Sequence, residues 1–142
     1  MVALLDDHLL RDLLAHDLSA SLAHVLDQHE PATTNLYFYR LSRSVVSARG
    51  GALTGSWPIE YRRELARSLL ALPDSIRIIP LRVLAFRMAE IAETHPISTL
   101  GAEAAAAAEQ LNAPLYVWEG DDGLGIRNAV TAVGSDYRTI TR

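Results

Sequence analysis

The 142-residue chain contains no cysteine and no lysine. The absence of cysteine excludes disulfide bonds, thiolate metal sites and cysteine nucleophiles. All thirteen basic residues are arginine, whose planar guanidinium group suits phosphate better than an ammonium group does. The sequence also lacks any run approaching the roughly 18 uninterrupted apolar residues that a membrane span needs. No contact with a membrane is therefore expected.

Several motifs of enzymes and of exported proteins are missing as well. Residues 120–125 lack the lysine of a Walker phosphate loop, and no G-x-S-x-G nucleophile elbow occurs. The apolar run of residues 1–5 has no basic residue before it and is followed at once by charges, so it is not a signal peptide. We expect a cytoplasmic protein that forms a single domain over residues 1–142.

Apolar periodicity predicts strands that alternate with helices along the chain. This order predicts the α/β class: a three-layer α/β/α sandwich with a mostly parallel sheet of four to five short strands. A loop rich in glycine is predicted at residues 50–58. Strands are predicted at residues 2–5, 32–34, 75–80, 115–118 and 137–140, and the helices after the first at residues 18–29, 36–48, 59–72, 81–93, 99–112 and 126–133.

The stretch of residues 2–10, V-A-L-L-D-D-H-L-L, combines a strand-like apolar run with two adjacent acids, Asp6 and Asp7. An acid in this position fits an ordinary helix cap. It equally fits a ligand site, because ligands of parallel α/β sheets bind in the crevice at the carboxyl ends of the strands. Glu119 directly follows the strand predicted at residues 115–118, so Asp6 and Glu119 are both expected at this crevice.

Charge is divided unevenly along the chain. Residues 1–30 hold six acids and one arginine, residues 31–87 hold nine arginines and three acids, and residues 88–142 hold eight acids and three arginines. If the first and last thirds meet in the fold, an acidic centre lies beside a basic middle section. That combination suits a metal ion and a polyanion.

Two segments resemble PIN domains, the nuclease fold of VapC-type toxins from bacterial toxin–antitoxin pairs. The opening L-L-D-D-H-L-L is similar to the family's L-D-T-N-x-L-L, and the block T-L-G-A-E-A-A-A-A-A-E-Q-L-N-A-P-L-Y-V-W-E-G-D-D is similar to its D-A-x-x-A-x-A-x-x-x-x-A-P-L-V-T-x-D. The order of elements between them is also similar, so the resemblance covers nearly the whole chain. It implies a ribonuclease that holds Mg²⁺ or Mn²⁺ with carboxylates and cleaves single-stranded RNA.

Carried over residue by residue, the resemblance places Asp6 and Glu119 on two of the family's four acidic positions. Arg40 stands at the second acidic position and Gly101 at the third, where Glu103 is the nearest substitute. The implied catalytic residues are Asp6 and Glu119, and the implied metal ligands are Asp6, Glu103, Glu119 and Asp121. An alternative remains open: Arg40 pairs with Asp6 in place of the metal, and the domain is catalytically degenerate and binds RNA or protein.

The arginines and aromatic residues of the middle section suggest how RNA would be held. Arg40 and Arg43 are the predicted phosphate-binding residues, since arginine forks pair with phosphate; a solvated helix face is the other interpretation. Tyr37, Phe38, Tyr39 and Trp57 either stack on unpaired bases or belong to the core or a dimer contact. The family resemblance also implies a homodimer and an antitoxin-like protein partner.

Overall fold

Five short strands form one sheet in the computed structural model, which describes residues 1–47, 49 and 51–142. Their order across the sheet is β3-β2-β1-β4-β5, and every neighbouring pair is parallel. The central strand β1 pairs Leu4 with Ala32 on one side and with Leu115 on the other. The strands are β1 (Val2–Leu5), β2 (Glu30–Thr33), β3 (Arg77–Ile78), β4 (Leu115–Trp118) and β5 (Tyr137–Ile140).

Eight α-helices flank the sheet in the described part of the chain, and the predicted α/β class with a parallel sheet between helices is confirmed. A single turn of 3₁₀-helix, Glu119–Asp121, follows β4. The helices are α1 (Asp7–Leu14), α2 (Ala20–Gln28), α3 (Asn35–Val46), α4 (Gly51–Thr54), α5 (Ile59–Leu70), α6 (Leu81–Thr94), α7 (Thr99–Leu111) and α8 (Leu124–Ala132).

Alternation along β1 explains the three layers. Leu4 faces a core that contains the alanine tract of α7, whereas Ala3 and Leu5 face the opposite core, with Leu9 of α1 and Leu22 of α2. All of these side chains are fully buried. Side chains of a strand alternate between the two faces of its sheet, so a strand that is apolar at every position must be covered on both sides.

Several boundaries differ from those predicted. The segment 51–54 is the short helix α4 rather than a loop, and β2 begins at Glu30, two residues before the predicted strand. The strand β3 has two residues instead of six, and α8 begins at Leu124. The predicted end of the third helix at Ala48, and Gly50 in the predicted loop, lie outside the described residues.

None of the helices in residues 1–47, 49 and 51–142 combines the length and the apolar character needed to cross a bilayer.

Candidate metal centre

Four ligand-type side chains meet where β1 and β4 end. They are Asp6, Asp7, His8 and Asp121, and one potential ligand atom of each lies within 4.8 Å of the others. The first three follow β1, and Asp121 closes the 3₁₀ turn after β4, which is the neighbouring strand. Parallel pairing therefore brings together two chain segments more than a hundred residues apart. These four residues are called the acidic cluster below.

Asp6 is fully buried, and both of its carboxylate oxygens accept backbone hydrogen bonds. Oδ1 accepts from Leu9 N at 2.9 Å, as the N-cap of α1, and Oδ2 accepts from Trp118 N at 3.0 Å. Burial raises the pKa of Asp6 to about 7, and the charge of Asp7 adds to this increase although the two N–H groups oppose it. The predicted helix cap is confirmed, and the same carboxylate also belongs to the acidic cluster.

Asp7 and His8 each bury an atom that has no hydrogen-bond partner among the described residues. These atoms are Asp7 Oδ2 and His8 Nδ1. The nitrogen lies 3.2 Å from Asp7 Oδ1 and 3.9 Å from Asp121 Oδ2, distances that allow attraction without a well-formed hydrogen bond. An unsatisfied polar group in the interior costs about 1–3 kcal/mol, and a ligand bound at the cluster would satisfy both atoms.

The imidazole of His8 is held from several sides. Its ring centroid lies 4.8 Å from that of Trp118, whose backbone N–H also binds Asp6. Burial by itself lowers the pKa of His8, but contact with Asp7 and the negative charges of Asp6, Asp7 and Asp121 outweigh it and raise the pKa. A proton on His8 therefore compensates part of the negative charge of the cluster.

Arg40 reaches the acidic cluster from α3. Its Nε lies 3.4 Å from Asp7 Oδ2, and nearly half of its side chain is exposed. The sequence-based alternative paired Arg40 with Asp6, whereas the ion pair in the structure is with Asp7. The partly exposed guanidinium group of Arg40 thus lies beside a group of three carboxylates.

The donor set of the acidic cluster fits a divalent metal ion. Three carboxylates and one imidazole provide the four ligands that the structure brings together. A carboxylate has about four lone-pair sites, so Asp6 can accept two N–H groups and still coordinate a cation. Oxygen ligands suit Mg²⁺ and Mn²⁺, while the imidazole makes Mn²⁺ the better match of the two.

The structure brings together Asp6 and Asp121 among the four predicted ligands. The carboxylate of Glu103 is fully buried and accepts hydrogen bonds from Asn35 and Leu36, at the N-terminus of α3. Glu119 is exposed at the start of the 3₁₀ turn. Neither is one of the four clustered groups, and their assignment as ligands, like the catalytic role of Glu119, stays a prediction.

Sequence reasoning did not assign Asp7 and His8 to the metal site. The signal that was overlooked is their position directly after Asp6. The first turn of a helix that follows a strand faces the same crevice as the end of that strand. A histidine at the start of a helix is usually exposed, yet His8 is 5% exposed. The ring of Trp118, from β4, packs against it at a tilt of 43°, and this tertiary contact contributes to the burial.

Two cavities flank this region. The larger, about 540 Å³, lies between the end of α1 and α5, and none of the four cluster residues is among its described lining. The smaller, about 370 Å³, is lined by Tyr39, Arg40, Arg43, Ser44, Ser47 and residues 51–53 of α3 and α4. This second cavity is called the α3–α4 groove below, and it contains both predicted phosphate-binding arginines.

Comparison with protein-family models gives no match to this chain, and comparison with curated proteins gives no match either. The geometry of the acidic cluster and of its surroundings is therefore the basis for a function.

Proposed function

We propose that this chain is a PIN-like domain that binds a divalent metal ion in the acidic cluster and hydrolyses phosphodiester bonds of single-stranded RNA. The observation that carries the proposal is that two buried atoms inside a group of three carboxylates, Asp7 Oδ2 and His8 Nδ1, make no hydrogen bond within the described residues. Buried negative charge without compensation is unfavourable, and a cation supplies that compensation.

Each cluster residue has a role in this proposal. Asp6, Asp7 and Asp121 supply oxygen ligands, and His8 supplies a nitrogen ligand once its proton has left. A bound divalent ion polarises a phosphoryl oxygen and lowers the pKa of a water molecule. Trp118 fixes both ends of the cluster, because its N–H holds Asp6 while its ring packs against His8.

The substrate class follows from the arginines beside the cluster. Arg40 lies against Asp7 and also lines the α3–α4 groove together with Arg43. Guanidinium groups bind phosphate oxygens in pairs of parallel hydrogen bonds. A phosphodiester drawn to Arg40 would therefore be held next to the proposed metal ligands.

A second candidate function is favoured by the same arginine. Arg40 already places a positive charge 3.4 Å from Asp7, and Glu103 is engaged at α3 rather than in the acidic cluster. A PIN-like domain in which Arg40 replaces the metal would be catalytically degenerate and would serve as a module that binds RNA or protein.

Other parts of the proposal rest on the family resemblance alone. They are a homodimer and an antitoxin-like protein partner, whereas the cytoplasmic location stays an expectation from the sequence. Size-exclusion chromatography with light scattering tests the homodimer directly.

Calorimetric titration with Mn²⁺ at neutral pH tests the metal site. We expect saturable binding by the wild type and at least a tenfold loss in Asp6→Asn and in Asp121→Asn, since each removes a charged ligand. Glu119→Gln is the matched control, because it neutralises an exposed acid two residues from Asp121. Absence of Mn²⁺ binding by the wild type would refute the metal site, and a loss confined to Glu119→Gln would move it to the ligand inferred from the family pattern.

Cleavage of single-stranded RNA in the presence of Mn²⁺ then separates the two candidates. Cleavage that disappears in Asp6→Asn supports the ribonuclease. Saturable Mn²⁺ binding with no cleavage across a panel of RNAs supports the binding module.

A further inference from the structure

We propose that the α3–α4 groove binds one nucleotide of a single-stranded nucleic acid, with its phosphate on Arg43 and Arg40 and its base stacked on Tyr39. The inference rests on the proposed function, since it defines how that substrate would be held beside the acidic cluster. Metal binding is not required for it, so the two can be tested separately.

The charges of the groove select an anion. Arg40 and Arg43 line it, and no acidic side chain is part of its described lining. Within the described part of the chain Arg43 has no ion-pair partner and is exposed. Its guanidinium group is therefore available for a phosphate, whereas most of the other arginines on the surface, such as Arg67 and Arg127, already pair with acids.

Tyr39 supplies a surface for an unpaired base. Sequence reasoning offered four aromatic residues for this role, and the structure separates them. Tyr37 is buried, while Phe38 and Trp57 pack against the core around Leu41. Tyr39 alone among the four is largely exposed, at 56%, and its ring lines the groove.

The positions on α3 bring ring and cation to one side. Tyr39 and Arg43 are four residues apart, which places them on the same face of the helix. Small residues of α4, Gly51 and Ala52, also belong to the described lining of this cavity, whose volume is about 370 Å³. Stacking on aromatic rings combined with arginine contacts to phosphate is a general way of binding single strands.

Arg62 of α5 removes an obstacle to an anion in this groove. The carboxyl end of a helix carries partial negative charge, and α3 ends beside the groove. The Arg62 guanidinium group donates to the carbonyl oxygens of Ser44, Val45 and Ser47 at that end. The helix terminus is thereby neutralised next to the proposed phosphate position.

Arg40 connects the groove to the acidic cluster. It lines the groove, and its Nε lies 3.4 Å from Asp7 Oδ2. A nucleotide in the groove therefore places the next phosphodiester along the strand at the acidic cluster. The groove is thus a positioning site for the substrate and takes no part in the chemistry.

Fluorescence anisotropy with a short labelled single-stranded RNA in EDTA tests the groove without any metal. We expect Tyr39→Ala to weaken binding by about fivefold to a hundredfold, the range for loss of one stacked base. Arg43→Ala should weaken binding and lower the salt dependence by about one phosphate contact. Tyr39→Phe keeps the aromatic face and should bind like the wild type.

Matched controls remove the same groups elsewhere on the surface. Tyr61→Ala deletes a tyrosine that is 64% exposed on α5, and Arg82→Ala deletes an exposed arginine on α6. Both should bind RNA like the wild type. Equal losses in Arg82→Ala and Arg43→Ala, or wild-type affinity in Tyr39→Ala, would overturn the proposal.

Two further ligands test which groups of a nucleic acid the groove recognises. Duplex RNA of the same sequence should bind more weakly, because its bases are already stacked, and equal affinity would contradict the stacking on Tyr39. Single-stranded DNA should bind like RNA, since phosphate and base are the groups contacted. Loss of DNA binding would assign the affinity to the 2′-hydroxyl and overturn this site.

The outcome is independent of the metal titration. RNA binding in EDTA that depends on Tyr39 and Arg43 would stand even if Mn²⁺ did not bind. Mn²⁺ binding and cleavage that are indifferent to both residues would leave the ribonuclease in place and remove the groove.

Discussion

Asp6 serves two purposes that most residues serve separately. As the N-cap of α1 it accepts the Leu9 N–H, and through its second oxygen it fastens the helix start to Trp118 after β4. Full burial beside Asp7 raises its pKa to about 7. Near neutral pH a proton and the proposed metal ion would therefore compete for the same carboxylate. Loss of the proton from Asp6 lowers the free energy of unfolding of the metal-free protein.

The raised pKa of Asp6 predicts how stability depends on pH without metal. The folded state holds this proton more tightly than the unfolded state, whose value is 3.8. The stabilising contribution is thus complete below 3.8 and is lost as the pH rises to about 7. We expect the free energy of unfolding, from urea titrations in EDTA, to fall across this window. The raised pKa of His8 acts in the same direction.

Asp6→Asn tests the assignment to Asp6, because the amide is neutral at every pH. Its unfolding free energy should vary less steeply with pH than that of the wild type over the upper half of the window. Asp27→Asn, which removes an exposed acid on α2, should keep the wild-type slope. Parallel curves for Asp6→Asn and the wild type would show that another group titrates.

The sequence was sufficient to find the centre of the site at residue scale but not its composition. Asp6 was identified because an acid directly follows an apolar run, a pattern with a local cause. Asp7 and His8 were not, since their burial depends on Trp118 and Asp121, which join them through the pairing of β1 with β4. No sequence pattern within residues 6–8 indicates that Trp118 and Asp121 lie beside them.

Among the elements, α3 has a cap that comes from another helix. Glu103 of α7 accepts hydrogen bonds from Asn35 N at 3.1 Å, Asn35 Nδ2 at 2.7 Å and Leu36 N at 2.8 Å. A carboxylate at this position satisfies free N–H groups and interacts favourably with the helix dipole. The same hydrogen bonds join the start of α3 to α7.

Replacing Glu103 separates this structural role from the metal-binding role predicted for it. Glu103→Gln turns an amide group toward N–H donors and should cost about 1.5–3 kcal/mol in unfolding free energy, measured in urea. Mn²⁺ binding by the folded variant should equal that of the wild type. Unchanged stability together with lost Mn²⁺ binding would instead make Glu103 a ligand.

Gly101 lies at a position of α7 where the surrounding side chains leave no room for a Cβ atom. A Cβ atom there would lie 2.5 and 2.8 Å from two carbons of Ile97 and 2.9 Å from Ile126 Cγ1. Gly101→Asp should therefore lower the unfolding free energy by more than about 3 kcal/mol, because it adds a buried charge to the steric conflict. Thermal denaturation of Gly101→Asp is compared with that of Gly101→Ala.

Gly101→Ala isolates the steric part of that effect. The gain in helix propensity, about 1 kcal/mol, offsets much of the cost of displacing the isoleucines, so this variant should stay closer to the wild type. If Gly101→Asp were as stable as Gly101→Ala, the carboxylate would have found solvent or a partner, contrary to the packing.

Prediction of the elements succeeded where apolar spacing repeats and failed where tertiary contacts set the limits. Strands β4 and β5 have the predicted bounds, and α2 begins two residues after its predicted start, with Ser19 as its cap. The edge strand β3 is shorter than its isoleucine run because it pairs with β2 over only two residues. The helix α4 is too short to produce a periodic signal, and its Leu53 is buried against α1 and α5.

At the scale of the whole molecule, the uneven charge distribution acquires a spatial meaning. Acids from the first third, Asp6 and Asp7, meet Asp121 from the last third, and Arg40 from the basic middle lies beside them. The two acidic thirds therefore meet, while Arg40 is the arginine of the middle section that the structure pairs with this cluster. Parallel pairing of β1 and β4 is the cause, since it brings the two acidic thirds together at the carboxyl ends of these strands.

A second charged network connects distant parts of the chain. Asp12 of α1 is 3% exposed, and it accepts hydrogen bonds from Arg11 Nε and Nη2 at 3.0 and 2.9 Å and from Arg142 Nε at 2.8 Å. Arg11 also donates to the Leu53 carbonyl, and Arg142 lies over the ring of Trp118. Asp12 thus links α1 to α4 through Arg11 and to Trp118 of β4 through Arg142.

Removing Asp12 should destabilise the whole fold rather than one element. Asp12→Ala leaves the buried Arg11 without its carboxylate, a loss of about 3–5 kcal/mol, which urea unfolding measures as a lower midpoint at unchanged slope. Arg142→Ala removes the more exposed partner of the same carboxylate and should cost about 1 kcal/mol or less. Equal effects of the two variants would mean that Arg142, and not the buried Arg11, provides the main compensation for Asp12, and that the network holds the molecule together through residue 142.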